Sequence, residues 1–442
     1  MNRLENKISG AEAVIRSLIE ENVDLIYGYP GGAIMPIYDE LFKFQDQINH
    51  VLTRHEQGAT HAAQGFSRVS GKVGVVMATS GPGATNLVTG IADAQIDSTP
   101  MVCITGQVAS HLLGSDAFQE TDIIGISTPV TKWNCQITQA KDIPEILAKA
   151  FYIARSGRPG PVLIDITKDA QFELMSFQYN KCFSVRSYKP VPDYSTDQIK
   201  KASHLINESK KPFIVFGQGV ILGEAENEFK NLIEKTGIPS AWTILGLSAL
   251  PTDHYLNVGM VGMHGNYGPN VLTNECDLLI AIGMRFDDRV TGNLESYAKQ
   301  AKIIHMEIDP AEINKNVKVD VALLSDCKIT LKELNNRISA KTYPEWIARF
   351  EALDKIEALH LENELLSKTE TIVIVDDVET TIIEDKSLRY LGLVHLGFIM
   401  TKEGEYDEQG VETKAPTFSD MYSVDVFWKT DEPDDWKGKK IK

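Results

Sequence analysis

Val73-Gly74-Val75-Val76-Met77-Ala78, running directly into Thr79-Ser80-Gly81-Pro82-Gly83-Ala84-Thr85-Asn86, is the stretch whose reading decides the fold. An unbroken apolar run of this length reads as a parallel strand covered on both faces. The strand gives way to a glycine turn and then to an apolar helix. Glycines in such a turn let the backbone approach a ligand, and the free amides of a first helical turn favour polar or anionic groups. Many α/β proteins carry a Gly-x-Gly turn for packing alone, so the turn by itself names no ligand.

Just upstream lies Arg54-His55-Glu56-Gln57-Gly58-Ala59, the start of a helical pattern. Spacings of three and four place Glu56, Ala59, Ala63 and Phe66 on one side, with Gly58, Ala62, Gly65 and Val69 beside them. Gln57, His61, Gln64 and Arg68 form the expected wet side. A single carboxylate among small apolar side chains is shielded from water, the setting in which a carboxyl group shares a proton with a ligand. The alternative is a carboxylate that caps or pairs at the start of its helix.

Further outward, apolar runs at residues 24–28, 101–105 and 162–166 alternate with helical patterns, which predicts α/β architecture with a parallel sheet. Ligands on such sheets gather beyond the carboxyl ends of the strands, where Pro30-Gly31-Gly32, Gly81-Pro82-Gly83 and Gly106-Gln107 all fall. After Lys168-Asp169 the periodicity fades, and Tyr188-Lys189-Pro190-Val191-Pro192 reads as a stiff linker. A second α/β unit opens at Pro212-Phe213-Ile214-Val215-Phe216-Gly217-Gln218-Gly219 and continues through strands at 277–283 and 303–309. A nucleotide lying across those ends would meet the acid at Asp309 and amide-rich turns; a purely structural domain is the other reading.

With 442 residues, 43% of them hydrophobic, the chain can bury two or three cores. Its formal charge of -17 offers no basic surface for nucleic acid or anionic membranes, which leaves small-molecule chemistry. The five cysteines (Cys103, Cys135, Cys182, Cys276, Cys327) are dispersed without Cys-x-x-Cys, so neither a zinc site nor a disulfide framework is expected. The N-terminus leads into an amphipathic helix, and no apolar run approaches membrane-spanning length. A cytoplasmic protein is expected. A plain dinucleotide dehydrogenase is disfavoured, because no Gly-x-Gly-x-x-Gly opens a helix after the first strand.

Five blocks stand in the order and spacing of one family. They are Tyr27-Gly28-Tyr29-Pro30-Gly31-Gly32-Ala33, Arg54 to Ala59, Thr79 to Asn86, Thr105-Gly106-Gln107-Val108 and Gly114-Ser115-Asp116-Ala117-Phe118-Gln119-Glu120. Together with Gly283-Met284-Arg285-Phe286-Asp287-Asp288-Arg289-Val290-Thr291-Gly292 in the second unit, they resemble the acetolactate synthase (acetohydroxyacid synthase) large subunit, a thiamine-diphosphate enzyme. The resemblance covers about residues 1–357. The same blocks favour this family over a pyruvate oxidase or a glyoxylate carboligase.

The resemblance implies two doubly wound parallel-sheet domains: a pyrimidine-binding domain over 1–187 and a central FAD-binding domain over 188–342. It implies condensation of two pyruvates, or of pyruvate and 2-oxobutanoate, with release of carbon dioxide in branched-chain amino-acid biosynthesis. Catalytic roles fall to Glu56, through the aminopyrimidine ring, and to Gln119. Pro30, Gly31, Gly32, Gly83 and Asn86 would line the thiamine side, with Phe118 and Lys168 on the substrate side. Flavin contacts would come from Arg158, Gly217, Gly219, His264, Gly265, Gly283, Arg285, Glu307, Ile308, Asp309 and Asp326. A homodimer or larger assembly, with a small regulatory subunit, is the implied organisation.

The departure lies at the C-terminus. The family holds its diphosphate through magnesium on a third domain with Gly-Asp-Gly and a later Asn-Asn, and this chain has no Gly-Asp-Gly. Asn335-Asn336 reads as surface polarity. Residues 371–379 resemble the opening strand of that third domain without continuing its pattern, and Val424 to Trp428 is a plausible further strand. Asp376, Asp377, Glu384 and Asp385 are magnesium candidates in principle, but acidic clusters of this kind are far more often solvated faces. No metal ligand is therefore assigned, residues 343–442 are expected to be a helical connector and divergent tail, and the chain is expected to be inactive alone. The alternative is a non-catalytic, truncated or fused homologue that binds flavin and dimerises.

Overall fold

The computed structural model describes residues 7–365 and, beyond them, the short strands Thr369–Val375, Val378–Glu384, Met400–Lys402, Glu405–Tyr406, Glu412–Lys414 and Thr417–Phe418, with side chains described through residue 359. The expected strand at 424–428, the acids Asp376, Asp377 and Asp385, and the side chain of Glu384 lie outside that description. Contacts divide the chain into two units, Met1–Pro192 and Asp193–Lys442.

In the first unit six strands form one sheet: β1 (Leu25–Tyr29), β2 (Asn49–Leu52), β3 (Gly74–Ala78), β4 (Met101–Gln107), β5 (Trp133–Ile137) and β6 (Pro161–Thr167). They lie in the order β2-β1-β3-β4-β6-β5, and every pairing is parallel. Alternation along the strands serves two cores at once. Val75, Met77, Val102, Ile104, Val162 and Ile164 pack on one face with α1 (Gly10–Glu20) and α2 (Met35–Lys43). Val76, Ala78, Met101, Cys103 and Leu163 pack on the other with α3 (Glu56–Ser70) and α5 (Val88–Ile96), which flank the short α4 (Pro82–Thr85). That double cover is why β3 reads as a continuous apolar run rather than an alternating one.

Local chemistry sets the helix ends. Ser9 accepts from the Glu12 amide at 3.0 Å, the first half of a Ser-x-x-Glu box, and α3 stops at Gly71 with φ 71°. Tyr188, in the segment read as a stiff linker, is anchored at its start: its hydroxyl donates to the Ser156 carbonyl at 2.9 Å and its ring meets Tyr152 edge-on.

The second unit repeats the plan with β7 (Pro212–Phe216), β8 (Ser240–Trp242), β9 (Asn257–Met260), β10 (Leu278–Ile282), β11 (Lys302–Glu307) and β12 (Val321–Leu324). Its order is β9-β8-β7-β10-β11-β12, again parallel throughout. The helix Pro344–Leu365 docks on this core, where Phe350 is fully buried against Phe213 and the Trp346 indole donates to the Pro212 carbonyl at 2.9 Å. Both units are therefore doubly wound α/β domains. No helix among the described residues is long and apolar enough to cross a membrane.

Candidate active site

The chain leaves β1 for one edge of the first sheet and returns at β3 on the other side of β1, so the strand order reverses between them. In open parallel sheets that reversal opens a crevice beyond the carboxyl ends of the strands. Two turns meet there. A Cβ on residue 31 would lie 2.6 Å from Thr79 Cβ, so only glycine brings the Pro30-Gly31-Gly32 turn this close to β3. The Ala33 amide then donates to Thr79 Oγ1 at 3.2 Å and ties the turns together. Pro30 and Gly32 are exposed beside them.

Glu56 enters the crevice as the first residue of α3. His55 takes the capping role, accepting from the Gln57 amide at 3.1 Å, which frees the Glu56 carboxylate from helix capping. Glu56 is 8% exposed, and Asn86 Nδ2 donates to its Oε2 at 2.9 Å. Its Oε1 accepts no hydrogen bond from the described residues. A Cβ on residue 83 would fall 3.2 Å from that oxygen and 2.7 Å from Thr79 Cγ2, so Gly83 keeps the space in front of Oε1 open. Tyr38 stands nearby: burial first, and then the Glu56 charge, push its hydroxyl pKa well up, so it stays a neutral donor, pointed at the Met77 carbonyl. A carboxylate with one lobe satisfied and one open, facing a space that a methyl group would fill, suits a flat nitrogen heterocycle that exchanges a proton.

The loop at 110–121 borders the same turns. Gly81 (φ 57°) would put a Cβ 2.7 Å from the Gln119 carbonyl, so the loop rests on the Gly81-Pro82-Gly83 turn. Gln119 itself holds a left-handed φ of 58°, uncommon for a residue with a side chain and a mark of a constrained position. Its side chain is exposed, and Phe118 is 87% exposed rather than packed as aromatic side chains usually are. Lys168, exposed, comes directly after β6. Arg158 is held by Ser98 Oγ at 2.9 Å and the Ile96 carbonyl at 3.5 Å.

The second sheet has its own reversal between β7 and β10. There Gly217 and Gly219 donate to the Ile282 and Gly283 carbonyls at 2.9 and 2.8 Å, and a Cβ on either would collide with Gly283. These three glycines bring two turns together. The acids close by shape backbone: Glu307 Oε1 accepts from the Ile308 and Asp309 amides at 2.9 and 3.1 Å, Asp309 from Ala311 at 2.9 Å, and Asp326 from Lys328 and Ile329 at 2.9 and 3.2 Å. Arg285 pairs with Asp287 at 3.7 Å. His264 is exposed and Gly265 half-buried on the loop after β9.

Sequence reasoning missed three participants. Thr79 joins the turns and Tyr38 neighbours Glu56; a Thr after a strand and a Tyr in a helix carry no special signal. The third, Asp165, is an acid inside the apolar run 162–166 and is visible as such. Gln64 also departs from expectation. Helical spacing puts it on the wet side of α3, yet it is 4% exposed, because α5 covers that face and the Gly90 carbonyl takes its Nε2 hydrogen at 2.9 Å. Asn335, expected to be surface polarity, is half-buried and donates to the Glu228 carbonyl at 2.9 Å. Among the described residues no group of three or more His, Cys, Asp or Glu is placed to hold a metal.

Comparison with known proteins adds two family matches: residues 8–126 match the "Thiamine pyrophosphate enzyme, N-terminal TPP binding domain", and residues 199–334 match the "Thiamine pyrophosphate enzyme, central domain". The acetolactate synthase large subunit of Corynebacterium glutamicum is 49% identical over 346 residues, 77% of this chain and 55% of that protein. An acetolactate synthase of Mycobacterium bovis is 52% identical over 328 residues, 74% of this chain and 53% of its own length. A probable acetolactate synthase large subunit of Methanocaldococcus jannaschii is 45% identical over 396 residues, covering 84% and 67% respectively. The chain spans about half the length of the first two relatives.

Proposed function

The chain belongs to the acetolactate synthase large-subunit family of thiamine pyrophosphate enzymes, and from that premise we propose that its first unit holds the pyrimidine half of thiamine diphosphate for the joining of two 2-oxo acids. The observation that carries the reading is the open Oε1 of buried Glu56 across from Gly83. Bound there, thiamine diphosphate supplies the nucleophilic carbon and the electron sink for decarboxylation. Asn86 fixes Oε2, which would leave Oε1 to hold or release a proton at a ring nitrogen of the bound cofactor. Gly83 and the Gly31 turn leave room for the ring, and Thr79 keeps the two turns in register. Gln119 and Phe118, with Lys168 near the entrance, border the side from which pyruvate, and then pyruvate or 2-oxobutanoate, approaches. The products would be 2-acetolactate or 2-aceto-2-hydroxybutanoate, with carbon dioxide.

The carboxyl edge of the second sheet is the proposed seat of FAD, supported by the strand-order reversal between β7 and β10 and by the close approach of the Gly217, Gly219 and Gly283 turns there. Magnesium and the diphosphate are assigned to no described residue. A homodimer or larger assembly, a small regulatory subunit and a cytoplasmic location complete the proposal.

Its test is thiamine diphosphate binding to the full chain with magnesium and FAD present, followed by pyruvate and detection of acetolactate as acetoin after acid treatment. Binding that is weakened in Glu56→Gln, with no turnover approaching that of full-length relatives by this chain alone, is expected. Identical binding by Glu56→Gln and wild type would refute the assignment. Bound flavin with neither thiamine diphosphate binding nor acetolactate would select the non-catalytic, flavin-binding alternative.

A further inference from the structure

Asp165 is fully buried in β6, and its carboxylate takes three hydrogen bonds, all from neutral donors: Thr105 Oγ1 at 2.7 Å on Oδ1, Gln136 Nε2 at 2.9 Å and Gln107 Nε2 at 3.1 Å on Oδ2. Thr105 and Gln136 stand directly across from it on the flanking strands. Burial pushes the Asp165 pKa up, and the negative charge of Asp122 pushes the same way, against the three donors. An apolar residue would serve the core better, since a buried acid without a cation costs stability.

The network leads out of the core. Gln107 Nε2 also donates to the Thr121 carbonyl at 3.0 Å, and Gln107 Oε1 accepts from the Val108 amide at 2.9 Å. Thr121 ends the loop that carries Phe118 and Gln119. The other end of that loop is held from the same strand: just beyond β6, Asp169 accepts from the Ser110 amide at 2.9 Å and from the Ser110 hydroxyl. Burial alone would raise the Asp169 pKa, but hydrogen bonds, those from Ser110 foremost, outweigh it and bring it down to about 2, so this anchor stays charged at any ordinary pH. Between the two ends the loop is tied to itself, with Glu120 accepting from the Gly114 and Ala117 amides.

We propose that Asp165, acting through Gln107, and Asp169, acting through Ser110, are positioning residues that fix both ends of the loop at 110–121 and so set where Gln119 and Phe118 stand against the Gly81-Pro82-Gly83 turn. The proposal rests on the reading of that loop as the substrate side.

Hydrogen exchange of the full chain, read by mass spectrometry, tests it. Asp165→Asn puts an amide where two donors point, and Gln107→Met cuts the link while leaving Asp165 in place. Each is expected to speed exchange at the amides of 112–120 by about tenfold or more, the double variant no further than the singles, with Glu56–Ser70 unchanged. Asp169→Ala is expected to do the same, and Asp169→Asn, which keeps an acceptor for Ser110, to recover part of the protection. Exchange within about twofold of wild type in every variant, or a rise spread evenly through the unit, would overturn the proposal. Pyruvate with thiamine diphosphate and magnesium should slow exchange of the same segment in the wild-type protein. If the variants loosen the loop but pyruvate leaves it unaffected in the wild type, the substrate-side reading falls and the anchoring stands.

Discussion

Asn86 and Glu56 are thirty positions apart in sequence, yet the Asn86 amide nitrogen sits 2.9 Å from Glu56 Oε2 and settles which lobe of the carboxylate is spent inside the protein. The other lobe is left for a ligand. This division separates the residue's effect on chemistry from its effect on folding.

Glu56→Gln keeps the shape and one acceptor oxygen but removes the exchangeable proton site. Acetolactate formation by a complete family member carrying the change should fall by about 10²- to 10⁴-fold, the usual contribution of a placed acid or base. The thermal midpoint of this chain should move little. A carboligation rate equal to wild type would count against the proton role.

Gly83→Ala inserts a methyl group 2.7 Å from Thr79 Cγ2 and 3.2 Å from Glu56 Oε1. The expected cost is about 1–3 kcal/mol of stability, together with weakened thiamine diphosphate binding. Calorimetric titration checks the binding, and Thr79→Ser, which deletes the opposing methyl, should recover part of the stability.

Gln64→Leu tests the correction on α3. It removes a buried hydrogen bond to the Gly90 carbonyl while an apolar side chain still fills most of the site, so urea unfolding should show a loss of about 1 kcal/mol. A truly wet position would tolerate leucine without that loss.

His305 in the second unit is fully buried; burial lowers its pKa below 6.5, and its Nδ1 has no partner among the described residues. Folding then keeps the ring neutral while the unfolded chain takes up a proton below 6.5, so stability is full above that pH and is lost as pH falls from 6.5 through the lower folded value. His305→Phe should flatten this part of the stability profile of the second unit, measured as urea midpoints at several pH values between about 7.5 and 5. An unchanged slope would show that other groups dominate.

The architecture is legible in the sequence because its signals are local. Apolar runs such as 73–78 and 277–283 mark buried parallel strands, and the turns after them must lie on one edge of the sheet. Glu56 stands out as a lone acid in a small-residue helix. What is not legible depends on contacts between distant segments. The burial of Gln64 is decided by α5, the anchoring of Tyr188 by Ser156 and Lys132, and the hold on Thr121 by Gln107 at the end of another strand. Asp165 shows the intermediate case: an acid in an apolar strand is visible, but its meaning appears only once the flanking strands bring Thr105, Gln107 and Gln136 to it.

Both ends of the loop at 110–121 are tethered to a single strand and the first turn after it. Like the handle of a pail, such a segment hangs from two rivets, and what its crown presents is set by where those roots stand. A change at either rivet, in strand β6 or just past it, would then be felt at residues 114–119, far along the chain from where it was made.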